Sequence, residues 1–228
     1  MNKGLFAGCI TVGLLFSHSV FASGQAQLLT SDQMTGAQER IDVLWDDNHL
    51  KMEFPGNEEG FMLAREDGVY TVVHSPAGQI VMDLNEMSQM HGGDQTPEFT
   101  EGYAQSVDSF EDTGQTRTVA GIEGAIYAVS WTDFDGVSHD AQAVLTDDQR
   151  VVELTQAMQY LGVLDADRED ALGEYVLGQG LGVLLFEEYE VASIESASHP
   201  SGTFELPAEP MSMEEIMQMM QGQMGGGM

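Results

Sequence analysis

Several short stretches carry residue types that could do chemistry. Ser138-His139-Asp140 holds the side chains of a hydrolytic triad. Consecutive residues on a strand or turn point in different directions, so these three cannot form a relay by themselves. No Gly-x-Ser-x-Gly elbow and no His-Glu-x-x-His pair accompanies them. Gly178-Gln179-Gly180-Leu181-Gly182 lacks the spacing and the basic residue of a phosphate loop. It reads instead as small residues that let backbones pack closely. Asp133, Asp135 and Asp140 around Gly136 lack the twelve-residue frame of a calcium loop and read as a charged hairpin turn. The chain is therefore expected to be non-catalytic and to need no cofactor.

Soft sulfur is the one remaining ligand chemistry. Met87, Met90 and His91 form a Met-x-x-Met-His cluster, and seven of the 15 methionines lie between Met211 and Met228. Neutral thioethers suit Cu(I), which makes Met87, Met90, His91, Met213, Met217 and Met220 an alternative copper set. The same tail also reads as an amphipathic helix. Ser212-Met213-Glu214-Glu215 matches a capping box, and Met213, Ile216, Met217, Met220 and Met224 share one face. Docking five such side chains at ~1.5–3 kcal/mol each would hold a helix on its own protein or on a partner.

Composition narrows the setting. Met1 to Ala22 reads as a secretory signal peptide: Lys3, then an apolar run too short to span a bilayer, then Val20-Phe21-Ala22 as a cleavage pattern. Export to the periplasm is the expectation. Cys9 is the only cysteine, and a lipidation box around it is rejected because most of the apolar run follows it. The mature chain then has no disulfide, thiolate site or cysteine nucleophile. Net charge is −31, which repels nucleic acid and anionic lipid head groups.

The elements that must position any site are mostly strands. From Arg40 to Leu84, short runs rich in β-formers alternate with turns, as in Ile41, Val43, Trp45 and then Leu50, Met52, Phe54. Asp67-Gly68 is the strongest hairpin signal. Asn85 is expected to cap a short helix, Glu86 to Met90. Thr118 to Ile122, Ala125 to Thr132 and Asp140 to Thr146 form a second strand group that begins near Thr116. Val151, Leu154, Met158 and Leu161 mark one helix face, and Asp165 is expected to cap a second helix through Leu172. Glu190 to Glu195 and Thr203 to Leu206 read as closing strands. The expected organisation is 1–22 signal peptide, 23–39 flexible lead-in, 40–207 folded domain and 208–228 Met-rich tail.

Gly68-Val69-Tyr70, Thr118-Val119-Ala120-Gly121-Ile122-Glu123, Ala125-Ile126-Tyr127 and Phe204-Glu205-Leu206-Pro207 resemble a family of exported bacterial domains of unknown function. That family is similar in turn to the LolA/LolB-like lipoprotein carriers. The resemblance covers about residues 40–207. It departs after Gly124, where the family often carries cysteine. It implies an α+β fold: a strongly curved antiparallel half-barrel sheet with a few helices across its concave face. It also implies an apolar cargo, either a small molecule, a lipid or a lipidated protein. A concave space of that kind is mostly apolar. Its candidate lining is Trp45, Phe54, Phe61, Tyr70, Val72, Tyr127, Val129 and Trp131, each of which could equally belong to a filled core.

Overall fold

Period-two alternation of apolar and polar residues organises most of the protein into one sheet. The computed structural model describes residues 23–31, 38–54, 60–75, 78–86, 103–165, 169–187, 189–212 and 215. Within these, eleven strands pair antiparallel throughout. The first six are β1 (Gly24–Ser31), β2 (Gln38–Trp45), β3 (His49–Glu53), β4 (Gly60–Arg65), β5 (Gly68–Ser75) and β6 (Gly78–Asp83). The others are β7 (Ala104–Val119), β8 (Ile122–Asp133), β9 (Ser138–Thr146), β10 (Gly182–Phe186) and β11 (Tyr189–Ser196). Their order is β6-β5-β4-β3-β2-β1-β11-β10-β9-β8-β7. The sheet is open: β6 and β7 follow one another in the chain yet occupy opposite edges.

The meander read between Arg40 and Leu84 is β2 to β6. Its register carries one apolar face across neighbouring strands: Trp45 opposes Leu50, Met52 opposes Met62, and Ala64 opposes Val69. All six side chains are buried. The loop expected at Asp67-Gly68 closes one residue earlier, because Arg65 pairs with Gly68 and Gly68 takes the positive φ of 154°.

Three other expectations are corrected. The lead-in expected over 23–39 contains β1, a central strand between β2 and β11. Ala26 and Leu28 are its buried residues, 5% and 1% exposed, and the intervening Gln25 and Gln27 masked the pattern. The second strand group begins at Ala104, not near Thr116. β7 is an edge strand whose residues 111–118 are exposed, so burial imposes no hydrophobic alternation on it. Residues 201–205 form turns and a bend instead of the closing strand expected at Thr203 to Leu206.

Helix α1 (Gln149–Met158) starts where the Asp148 side chain accepts the Arg150 N–H, and a 3₁₀ turn (Gln159–Asp165) extends it. α2 (Ala171–Gly178) is capped by Asp170. Asp165, the expected cap, ends the 3₁₀ turn. The helix expected over Glu86 to Met90 is described only at its first residue, within a single turn over 84–86. No helix among the described residues is long and apolar enough to cross a membrane.

The core lies mainly between sheet and helices. Val151, Leu154, Ala157 and Leu161 join Leu28, Val43, Trp45 and Leu50. Leu172 and Val176 of α2 join Val129, Trp131 and Leu145. Gly182 lets α1 settle on β10, since a Cβ there would stand 2.5 Å from the Val151 carbonyl carbon. A smaller cluster of Tyr70, Val72 and Val81 packs against Phe61 and Leu206. Strand alternation puts these four strand residues on the sheet's reverse side, opposite Met62, Ala64 and Val69.

Candidate functional site

A cavity of about 480 Å³ remains between the sheet and its helices. Leu28, Ile41 and Met52 reach it from the adjacent strands β1, β2 and β3. Trp131, Val183 and Phe186 border it from β8 and β10, and Met158, Leu161 and Leu172 from the helical segments. These surfaces follow from two periods meeting: every second residue of the strands, and every third or fourth of α1 and its extension. At about 30 Å³ per water-sized group, the space holds about 16 non-hydrogen atoms. That is within the range of sites that enclose one small ligand.

Polar groups punctuate the wall, and two of them, Thr155 and Asp170, are fixed by backbone bonds. β10 is irregular between Val183 and Leu185 against β9, and the Val183 N–H donates to Thr155 Oγ1 at 2.9 Å. Asp170 accepts from Ala104 N at 3.1 Å and Leu172 N at 3.3 Å through Oδ1, and from Gly173 N at 3.0 Å through Oδ2. Burial raises its carboxyl above the ordinary range, and these three bonds only partly oppose that. Burial likewise pushes the Tyr189 hydroxyl up, with no charge or hydrogen bond among the described residues offsetting it. Glu187 lies in the β10–β11 turn with φ of 49°, in the left-handed region, and also borders the cavity. No Lys, Arg or His among the described residues does.

Trp131 is held firmly at this wall. Its ring stacks on His139 (centroids 5.2 Å, planes 18° apart) and tilts against Phe186 at 5.5 Å. His139 Nε2 lies 2.7 Å from Asp133 Oδ2. That bond, seconded by the Val137 N–H, holds the Asp133 carboxyl below its ordinary value. The histidine of the Ser138-His139-Asp140 stretch thus braces an aromatic ring. Asp133 Oδ1 also accepts the Asp135 and Val137 N–H groups, closing the β8–β9 turn.

The eight aromatic and aliphatic residues expected to line a binding space do not share one surface. Trp131 alone of them borders the cavity. Trp45 is 1% exposed in the main core, its ring so close to Gly24 that a Cβ there would meet it at 2.3 Å. Phe54 packs against the same core. Phe61, Tyr70 and Val72 face the reverse side with Leu206. Tyr127 and Val129 belong to the cluster under α2, with the Phe110 ring tilted against Tyr127 at 4.7 Å between centroids. The alternative copper residues Met87, Met90, His91, Met213, Met217 and Met220 lie outside the described residues.

Sequence reasoning passed over Asp170, Glu187, Tyr189 and Thr155. Asp170 had a usable signal, an N-cap residue before an apolar helix. Glu187 and Tyr189 had none, because only long-range pairing sets β11 beside β1 and β10 beside β9. Comparison of the chain with family models, curated proteins and solved structures finds no match in any of the three.

Proposed function

We propose that this protein is a non-catalytic carrier that encloses an apolar ligand between an open sheet and its helices. The observation that carries the reading is the mostly apolar cavity of about 480 Å³, bordered by Leu28, Ile41, Met52, Trp131 and Phe186. In this reading the sheet bends around α1 and α2 as a half-barrel of the LolA-like kind, and the setting is the bacterial periplasm. The cargo is one apolar small molecule or a single acyl chain, including one borne by a lipidated protein. An eleven-stranded antiparallel order with helices against one side supports the architectural part. At ~0.3 kcal/mol per atom for a ligand of about 16 atoms, binding amounts to about 5 kcal/mol, a Kd on the order of 0.2 mM or tighter.

The neutral dye N-phenyl-1-naphthylamine, which brightens in apolar surroundings, tests this. Saturable uptake at one dye per chain is expected, together with apolar molecules co-purifying from cell envelopes. No saturable uptake by the intact chain would remove the carrier reading.

A further inference from the structure

Charge around the cavity is one-sided, and that bears on which polar end a cargo can carry. Asp170 and Glu187 border the space without a basic residue among those described. Among the described basic residues, Lys51, Arg65 and Arg150 are paired to Glu53, Asp67 and Asp148 on other parts of the sheet and helix surface. Asp170 cannot turn away, because three backbone N–H groups hold it. Its Oδ1 accepts two of those bonds and its Oδ2 one, which leaves Oδ2 with spare accepting capacity. Tyr189 adds a hydroxyl-bearing side chain to the same wall.

A carboxylate, phosphate or sulfate placed in this space would face both acids with no counter-charge among the described residues, and would lose part of its hydration beside the half-buried Asp170. An ammonium would gain an anchored acceptor and a charge partner. The net charge of −31 acts in the same sense on approaching ligands.

We propose that the cargo is a single-chain cationic amphiphile, an apolar body of about 16 non-hydrogen atoms whose ammonium end is received by Asp170 and, at the β10–β11 turn, by Glu187. This rests on the carrier reading and narrows it to a ligand class. The cation is received at Oδ2, while the alkyl chain lies over Met52, Met158 and Leu161.

Calorimetric titration of the full chain at pH 7 with dodecylammonium, dodecanol and dodecanoate, each below its micelle concentration, tests the assignment. The ammonium is expected to bind tightest, on the order of tenfold or more ahead of the carboxylate, with the alcohol between. Asp170→Asn keeps one acceptor oxygen that can cap α2, while the charge and the acceptor on the other side of the group are lost. It should bring the ammonium and alcohol affinities together. Glu187→Gln, at an exposed turn, should reduce the ammonium's lead several-fold without touching α2. Carboxylate binding as tight as ammonium binding overturns the proposal. So does an ammonium preference unchanged in both variants, since it would then come from the acidic surface. If N-phenyl-1-naphthylamine binds and the three amphiphiles show no order, the charge assignment alone falls. If none of the four binds, the carrier reading falls with it.

Discussion

Adding one methyl group at Gly182 is the sharpest perturbation of how α1 is seated on the sheet. An ideal Cβ there stands 2.5 Å from the carbonyl carbon and oxygen of Val151 and from Val152 N. These are backbone atoms in the first turns of α1, so no rotamer change relieves the clash and the helix itself must shift. Overpacking of a filled site costs about 1–3 kcal/mol, and backbone opposition puts Gly182→Ala at the upper end. Restricting the unfolded chain returns at most about 1 kcal/mol. A net loss of about 2 kcal/mol follows, which lowers Tm by about 4–8 °C in a chain of this size.

Gly173→Ala supplies the contrast. Its Cβ would meet Gln159 Nε2 at 2.4 Å and Asp170 Oδ2 at 2.7 Å. The flexible end of Gln159 can swing aside, whereas Asp170 Oδ2, held by the Gly173 N–H at 3.0 Å, must give up part of that bond. Helix propensity returns up to about 1 kcal/mol against a weakened hydrogen bond of about 0.5–1.5 kcal/mol, so Gly173→Ala should stay within about 1 kcal/mol of the parent. Thermal and urea unfolding followed by far-ultraviolet circular dichroism reads both variants. A Gly182→Ala Tm within about 1 °C of the parent, or a Gly173→Ala protein less stable than Gly182→Ala, would refute the reasoning.

Three further outcomes are expected. Arg150 holds the Asp148 carboxyl below its ordinary value, so that group's contribution is complete above about pH 4 and is lost as pH falls through its folded-state pKa. Asp148→Asn should therefore cost under about 1 kcal/mol near neutrality, the pair being partly exposed, with the gap to the parent closing in acid; an equal loss at both pH values contradicts this. Asp170 has the opposite sign: burial raises its folded-state pKa, so its contribution is full below about pH 4 and fades as pH rises. The Tm of Asp170→Asn relative to the parent should accordingly improve from acid towards neutral pH, and a fall would count against a buried carboxyl. Leu206→Ala strips the partner of Tyr70, Val72 and Val81 on the reverse side; because Leu206 is only half-buried, its cost should be about 1–2 kcal/mol, below the range for fully buried leucines. A change of zero in urea unfolding would mean that this contact does not form in solution.

Legibility in the sequence followed burial. Strands β2 to β5 alternate between a buried face and an opposite face, and their residues could be assigned from Ile41 onward by period alone. β1 has only two deeply buried side chains between glutamines and threonine, so its central place comes from pairing with β11, about 165 residues away in the chain. β7 gave little signal because most of it is exposed at an edge. The cavity was less readable still. Choosing large aromatics selected residues that fill cores on both sides of the sheet, such as Trp45 and Tyr70. What makes the space is where α1 and α2 stop short of the strands, and that depends on close approaches at Gly182 and Gly173 and on the Asp170 cap. Such contacts between distant segments leave no local periodic trace.

The protein has two tryptophans, which allows a direct test of the cavity. Trp45 is 1% exposed in the core, whereas Trp131 borders the cavity. In a Trp45→Phe variant, Trp131 is the sole indole, and its emission should fall saturably as N-phenyl-1-naphthylamine is added, reaching its limit at one dye per chain. Linear, unsaturable quenching, or no change at all, would contradict an apolar cavity that takes up a ligand beside Trp131.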